Sequence, residues 1–234
     1  MAQNTVPLNR ALSKLGLLSR AQAGDAIAAG RVRVDGRLVT DPATPIVPER
    51  ARIEIDDAST SRRAWRTILF HKPRGVVTTR RDPGGRRTIY DVLGDAGRGL
   101  IAVGRLDLAS SGLLLMTTDT QLANWITDPV NAVPRVYVVT VRGRVEDERL
   151  PAEVVTVRKR SDRETHLIVE LRQGKNREIR RLFEAVGHEV SRLKRTRVGE
   201  FELGDLEPGG WRDVSRQEVR RGFPDAPYSF RDRS

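Results

Sequence analysis

Two periods of apolar and polar residues run along this chain, and the switches between them divide it. Over 8–17, "LNRALSKLGL", Leu8, Ala11, Leu12 and Leu15 recur at the spacing of one helical face. Ser19 is a candidate N-cap with Gln22 three residues on, a capping-box pattern, and Gly30 supplies the left-handed residue that ends a second helix. The period then becomes two. Val32 and Val34 alternate with Arg31 and Arg33, Asp35-Gly36 is a tight-turn pair, and "RIEID" at 52–56 alternates again. The pattern predicts a small α+β domain over 1–57, two short helices feeding a few short strands. Residues 58–64 are small, polar and charged without a period and read as a linker.

Residues 65–216 form a second, larger domain in this reading. Strand-like runs lie at 66–73, 75–79, 100–106, 112–118, 135–143 and 166–171, with helical stretches at 120–127 and 176–186. The strands are too irregularly connected for a doubly wound parallel sheet. The expectation is an α+β chain whose larger domain has a mixed, mainly antiparallel sheet flanked by helices. In the last helix Ile179, Leu182, Phe183 and Val186 make the apolar stripe, Asn176 is a plausible N-cap, and Gly187 ends it. The segment 217–234, "QEVRRGFPDAPYSFRDRS", has no usable pattern and is expected to be a mobile tail.

Charge narrows the partners. The 234 residues carry 42 Lys and Arg against 31 Asp and Glu, a formal net charge of +11. A chain this basic points to a polyanion, and nucleic acid comes first. No basic amphipathic helix is long enough to favour a membrane surface, no apolar run reaches the length of a bilayer span, and the N-terminus lacks the apolar segment of a signal peptide. The expected location is the cytoplasm. There is no cysteine, and the three histidines, His71, His166 and His188, lack ligand spacing, so no metal site is expected. No glycine-rich phosphate loop follows a strand, so neither a dinucleotide nor an NTP is implied.

Two stretches carry candidate chemistry. In "GRLDLASSGLLLMTTD", 104–119, Asp107 sits between an arginine and a run of leucines. It reads as a turn residue or as a positioned carboxylate suited to nucleophilic or general-base work. In "GKNREIRRLFEAVGHEV", 174–190, Arg177, Arg180 and Arg181 lie off the apolar stripe, and nine basic residues face three acidic ones between Arg172 and Arg197. These arginines add to the positive end of the helix dipole, which makes sense with an anion or carboxylate in front. A guanidinium such as Arg180 would hold Asp107 ionised and oriented. Tyr137 shares a strand face with Val139 and Val141, as core or as a ring that stacks on a base. The loop "RRDPGGRR" at 80–87 reads as a flexible segment able to order on RNA.

Several ordered motifs resemble known families. "LNRALSKLGLLSRAQAGDAIAAGRVRVDGRLV" resembles the S4 domain, which implies a module that grips structured RNA through phosphates and shape. Its contact candidates are Arg10, Lys14, Ser19, Arg20 and Arg33. "FHKPRGVVTT", "GRLDLASSGLLLMTTD", "PRVYVVTV" and the block from Gly174 to Ser215 resemble, in order, the motifs of bacterial rRNA pseudouridine synthases of the RsuA/RluB type. The departures are Ser110 and Ser111 where the signature has a threonine, and Thr118-Asp119 in place of Asn-Asp or Asp-Asp. The resemblance implies that Asp107 is the catalytic aspartate, that Tyr137 stacks on the target uracil, that Arg180 pairs with Asp107, that Ile179 lines the pocket, and that Arg105 holds the flipped nucleotide or fills its place. Lys72, Lys175 and Arg177 join the RNA-contact set.

The implied reaction isomerises a uridine and needs no cofactor. The implied partner is ribosomal RNA, 23S favoured over 16S because "GKNREIRRLF" looks more like the large-subunit members, with the protein acting as a monomer. The rival reading is a non-catalytic S4-type RNA-binding or ribosome-assembly factor. A basic DNA-binding protein would need a reader helix with a dimerisation element, which is not evident. If residues 1–56 anchor RNA, removing them weakens binding and flattens its dependence on salt, measured by titration at several ionic strengths. An unchanged salt slope would count against that anchor.

Overall fold

The computed structural model describes residues 5–228 apart from 16, 19, 49, 57, 60–64 and 176. Their backbone divides into a smaller unit that runs to Trp65 and takes in Thr118–Gln121, and a larger one of Arg66–Thr117 with Leu122–Tyr228. The smaller unit contains β1 (Val6–Pro7), α1 (Leu8–Lys14), α2 (Arg20–Ala28), β2 (Val32–Val34), β3 (Arg37–Leu38), β4 (Pro45–Ile46), β5 (Ile53–Ile55) and β6 (Ala58–Ser59). The face expected of α1 is its core: Leu8, Ala11 and Leu12 are fully buried, joined by Ala23 and Ile27 of α2 and Val32 of β2. Asp35 and Gly36 both have positive φ, 50° and 79°, the pair a tight hairpin turn requires. Val32, Arg33 and Val34 pair antiparallel with Ile55, Glu54 and Ile53. Ala58 and Ser59, expected in the linker, instead pair with Ile55 and Glu54. Ser19, the expected cap of α2, lies outside the described residues.

The larger unit follows as β7 (Thr67–Lys72), α3 (Ile89–Leu93), β8 (Ile101–Ala102), β9 (Ser111–Thr117), α4 (Thr120–Thr127), β10 (Arg135–Arg142), β11 (Val154–Arg160), β12 (Glu164–Leu171), α5 (Glu178–Ala185), β13 (Val190–Val198), β14 (Phe201–Glu202), β15 (Trp211–Val214) and α6 (Arg216–Gly222). Among the described residues its strands form one sheet in the order β11-β12-β10-β13-β9-β7-β15, with β14 beside β13 and β8 beside β9. Every pairing is antiparallel except β13 with β9, so the sheet is mixed and mainly antiparallel as expected. Among the described residues no helix is long and apolar enough to cross a membrane.

That one parallel pairing joins two half-sheets. It consists of Lys194 opposite Ser111 and Arg195 opposite Gly112. A side chain at Gly112, where φ is 113°, would place a Cβ 2.1 Å from the Arg195 carbonyl oxygen. Only glycine lets the strands approach this closely. One face of the β10–β12–β13 half packs Tyr137, Val139, Val141, Leu167, Val169 and Leu193 against Ile179 and Phe183 of α5. The other half packs Ile68, Phe70, Leu114 and Met116 against Ile89, Leu93 and Leu100.

Two expectations are corrected. Residues 75–79 are no strand; only Val77 makes a bridge, to Thr88. The apolar run there fills space instead, since Val76 is buried beside α3. The expected mobile tail begins with α6, whose N-cap Ser215 and Glu218 form a reciprocal capping box. Val219, Phe223 and Ala226 are buried, and the Phe223 ring lies 5.3 Å from that of Phe201 and 6.1 Å from that of Trp125. The 80–87 loop is exposed but locally organised: Asp82 accepts hydrogen bonds from the backbone N–H and the side chain of Arg86, which hold its carboxyl down at about 2.

Replacing Gly112 with alanine is expected to cost at least about 2–3 kcal/mol, because it forces backbone apart and loads a positive φ. Urea unfolding of the Gly112→Ala chain measures it, and stability within about 0.5 kcal/mol of the parent would refute the close-approach account.

Candidate active site

The sheet junction sets the position of Asp107. It occupies the turn between Leu106 and β9, where its carbonyl accepts the Ser110 N–H at 3.0 Å. The same carbonyl accepts a second bond, 3.1 Å from the ammonium of Lys72, which also donates to the carbonyls of Pro73 at 3.0 Å and Ser110 at 2.9 Å. Lys72 is fully buried at the end of β7. It therefore cannot touch RNA as the sequence reading expects; two of its three hydrogen bonds pin the turn that carries Asp107. Burial pushes its ammonium down to about 8, with the nearby Asp107 carboxylate pulling the other way.

The Asp107 side chain opens onto a cavity of about 150 Å³. Arg105, Tyr137, Lys175, Arg177 and Ile179 line it as well. Tyr137 is buried in the half-sheet core and also borders the cavity. The alternation along β10 that points Tyr137 inward also points Arg135 inward, and Tyr137 lies directly opposite Arg195 on β13. Arg135 and Arg195 both line the cavity, as does Ser110.

In the free protein the ion pair at Asp107 is a different one from the pair expected. The Asp107 carboxylate lies 3.8 Å from the guanidinium of Arg177, not of Arg180. That pair is open to water, with the side chains 34% and 55% exposed. Arg177 occupies the cap position of α5 with φ at 51°, a left-handed conformation uncommon for a residue with a side chain. Asn176, the expected cap, lies outside the described residues. Arg180 sits one turn in, does not line the cavity, and donates from Nη1 to the Val190 carbonyl at 2.7 Å. Its Nε and Nη2 are buried without hydrogen-bond partners. Burial and the like charge of Arg177 lower its pKa, while Asp107 raises it.

On the smaller unit Arg10 is exposed on α1, and Arg33 is half-buried on β2 with its Nη1 3.5 Å from the Gly36 carbonyl. Lys14 lies on α1 and Arg20 on α2; their side chains, and all of Ser19, lie outside what is described.

Arg135, Arg195 and Ser110 were not among the candidates read from sequence. The period-two face containing Tyr137 could have found Arg135. Arg195 gave no such signal, because β13 shifts register against β10 at Val136/Tyr137 and Thr140/Val141, and bulges break the alternation.

A turn-borne carboxylate, an aromatic ring at the same cavity and a wall of cations suit chemistry on a planar base carried by a polyanion. The family model of RNA pseudouridylate synthases matches residues 66–185, and that of the S4 domain matches 6–50. The chain belongs to the RNA pseudouridylate synthase family and is an isomerase, with an S4 domain in front. It is 37% identical to ribosomal large subunit pseudouridine synthase B of Salmonella typhimurium, over 94% of this chain and 84% of that protein. An uncharacterized RNA pseudouridine synthase of Aquifex aeolicus is 33% identical over 93% of this chain and 94% of its own. A crystal structure of a pseudouridylate synthase superposes with a TM-score of 0.62 at 27% identity, covering 92% of this chain and 98% of that one.

Lys72 has a pH signature. Its pKa is about 8 in the folded chain against an ordinary 10.5, so between those values the unfolded chain holds more protons. This lysine therefore makes stability rise with pH across that window, by about 2–3 kcal/mol in total. Urea unfolding at the two pH limits is expected to show that rise in the parent and not in Lys72→Met. The same pH dependence in both chains would refute the assignment.

Proposed function

We propose that this chain converts a specific uridine of large-subunit (23S) ribosomal RNA to pseudouridine at the Asp107 cavity. The observation that carries the reading is the convergence of Asp107 and Tyr137 on one cavity walled by cations. The names of the relatives at 37–38% identity favour the large-subunit substrate. The target base leaves its stack to enter the cavity. Tyr137 stacks on it, Ile179 closes the wall beside it, and Arg105 holds the flipped nucleotide or fills its place. Lys175 and Arg177 meet the RNA backbone, and Arg10, Lys14, Ser19, Arg20 and Arg33 of the S4 domain add further contacts to it.

The chemistry is a rearrangement within one nucleotide. The bond from uracil N1 to the ribose C1′ breaks and its electron pair stays with the base. The base turns, C5 bonds to C1′, the C5 proton leaves and N1 takes a proton. The product is an isomer, so no oxidant, reductant or second group is consumed. Asp107 is the nucleophile or base that carries the sugar or the proton through this exchange.

Asp107 has two cationic neighbours with different work. In the free protein the exposed Arg177 faces it. A phosphate is a better partner for Arg177 than a carboxylate 3.8 Å away, and Arg180 has two buried donors in reserve. RNA draws Arg177 off, and Arg180 then pairs with Asp107 for the reaction.

The experiment maps pseudouridine across the ribosomal RNA of a deletion strain carrying parent or variant. One large-subunit site is expected to lose its modification on deletion, to regain it with the parent and not with Asp107→Asn, which binds RNA within about twofold of the parent because phosphates supply most of the affinity. No lost site, or restoration by Asp107→Asn, would sink the reading. In vitro, Arg177→Gln is expected to raise KM and lower the salt slope by about 1 with kcat kept. Arg180→Lys is expected to lower kcat by about 10²-fold or more. A collapse of kcat in Arg177→Gln would make Arg177 the working partner instead.

A further inference from the structure

The walls of the Asp107 cavity hold more positive charge than their two carboxylates, Asp107 and Glu178, can answer: Arg105, Arg135, Lys175, Arg177 and Arg195 all line it. Arg195 is 4% exposed and commits only its Nε, 2.7 Å from the Leu113 carbonyl. Its Nη2 is buried without a hydrogen-bond partner. Arg135, also buried, donates to the carbonyls of Val133 and Ile126 at 3.0 and 2.7 Å. Neither arginine has a carboxylate within ion-pair distance among the described residues. Ser110, at the same cavity, has a buried hydroxyl with no partner. Buried polar groups are nearly always bonded and an unmatched buried charge is unfavourable, so these donors stand uncommitted at the cavity wall, ready for an acceptor.

The reaction supplies such a group. When N1 parts from C1′ with the bonding pair, the uracil becomes an anion whose charge spreads onto its two carbonyl oxygens. The charge vanishes again when C5 has bonded to C1′, the C5 proton has left and N1 has been protonated. We propose that Arg195 is a further catalytic residue, bonding a carbonyl oxygen of the detached uracil with its uncommitted guanidinium N–H donors and, together with Arg135 and the Ser110 hydroxyl at the same cavity, stabilising the negative charge on the base. This rests on the isomerase reading of the cavity given above.

Geometry and chemistry support the assignment from separate directions. Arg195 is the cross-strand neighbour of Tyr137 and both line the cavity, which puts the guanidinium within reach of a base that the ring would cover. Arginine stays protonated under all working conditions and supplies charge without a proton transfer. Donors fixed in a dry site act most strongly on charge that exists only on the way to product, which raises the rate without tightening substrate binding. The pattern also selects the base. Uracil and cytosine share the O2 carbonyl, but where uracil presents O4 cytosine presents an amino group, and a donor placed at that edge would face another donor.

The test compares RNA carrying uridine at the target site with the same RNA carrying 5-fluorouridine, whose detached base is a more stable anion. The rate is read as loss of the original nucleoside. Arg195→Lys is expected to lower kcat on uridine about 10²- to 10³-fold with RNA affinity within about twofold. That deficit is expected to shrink at least about tenfold on 5-fluorouridine, because less charge then needs help. Ser110→Ala breaks no bond seen in the structure and guards against a folding defect. It is expected to lose about tenfold with the same dependence on the leaving base. Equal deficits on both RNAs, or full rates in both variants, overturn the proposal while leaving the isomerase reading intact. A parent protein inactive on uridine overturns both.

Discussion

Two pairs of residues on neighbouring strands hold the catalytic unit in register. Lys194 faces Ser111 and Arg195 faces Gly112, and through that splice one half of the sheet is fixed to the other. Asp107 enters from one side, on the turn that leads into β9. Tyr137 enters from the other, on the strand beside β13. Neither half holds a complete site. The splice is possible because residue 112 has no side chain, and the Nε of Arg195 ties the halves again through the Leu113 carbonyl. Scaffold and cavity meet in one residue, since the guanidinium that ties the halves also borders the cavity.

Lys72, Arg135 and Arg195 are buried, and their hydrogen bonds in the structure go to backbone carbonyls. Carbonyl dipoles satisfy donors without neutralising charge, so the region around Asp107 keeps a positive potential. Lysine and arginine are not interchangeable here. Three carbonyls converge on one ammonium at Lys72, a demand a point-like cation meets and a planar fork does not. Arg195 has the opposite task, one nitrogen turned to the scaffold and another left over.

The sequence made some features legible and hid others for definite physical reasons. The face of α1 and the Asp35-Gly36 turn follow from local chemistry, and both stand as expected. Asp107, Tyr137, Arg105, Lys175, Arg177 and Ile179 gather at one cavity, which only their family motifs had joined. Lys72 looked like a contact for RNA because a lysine in sequence carries no sign of its burial. Arg177 and Arg180 both lie near the start of α5, and only the turn of the backbone at Arg177 decides which reaches Asp107 in the free protein. The C-terminal segment looked mobile because its apolar residues are sparse. Phe223 needs Phe201 and Trp125 to make sense, and neither is near it in sequence.

The order of strands also bears on how the protein is made. β7, the first strand of the catalytic sheet, pairs with β15, the last. Some 140 residues separate Phe70 from its partner Trp211. A ribosome delivers β7 early and β15 late, so one edge of β7 has no strand to meet while most of the unit is synthesised. The smaller N-terminal unit has no such wait, since its strands pair within the first 59 residues. The nascent chain thus completes the S4 fold long before it can complete the cavity.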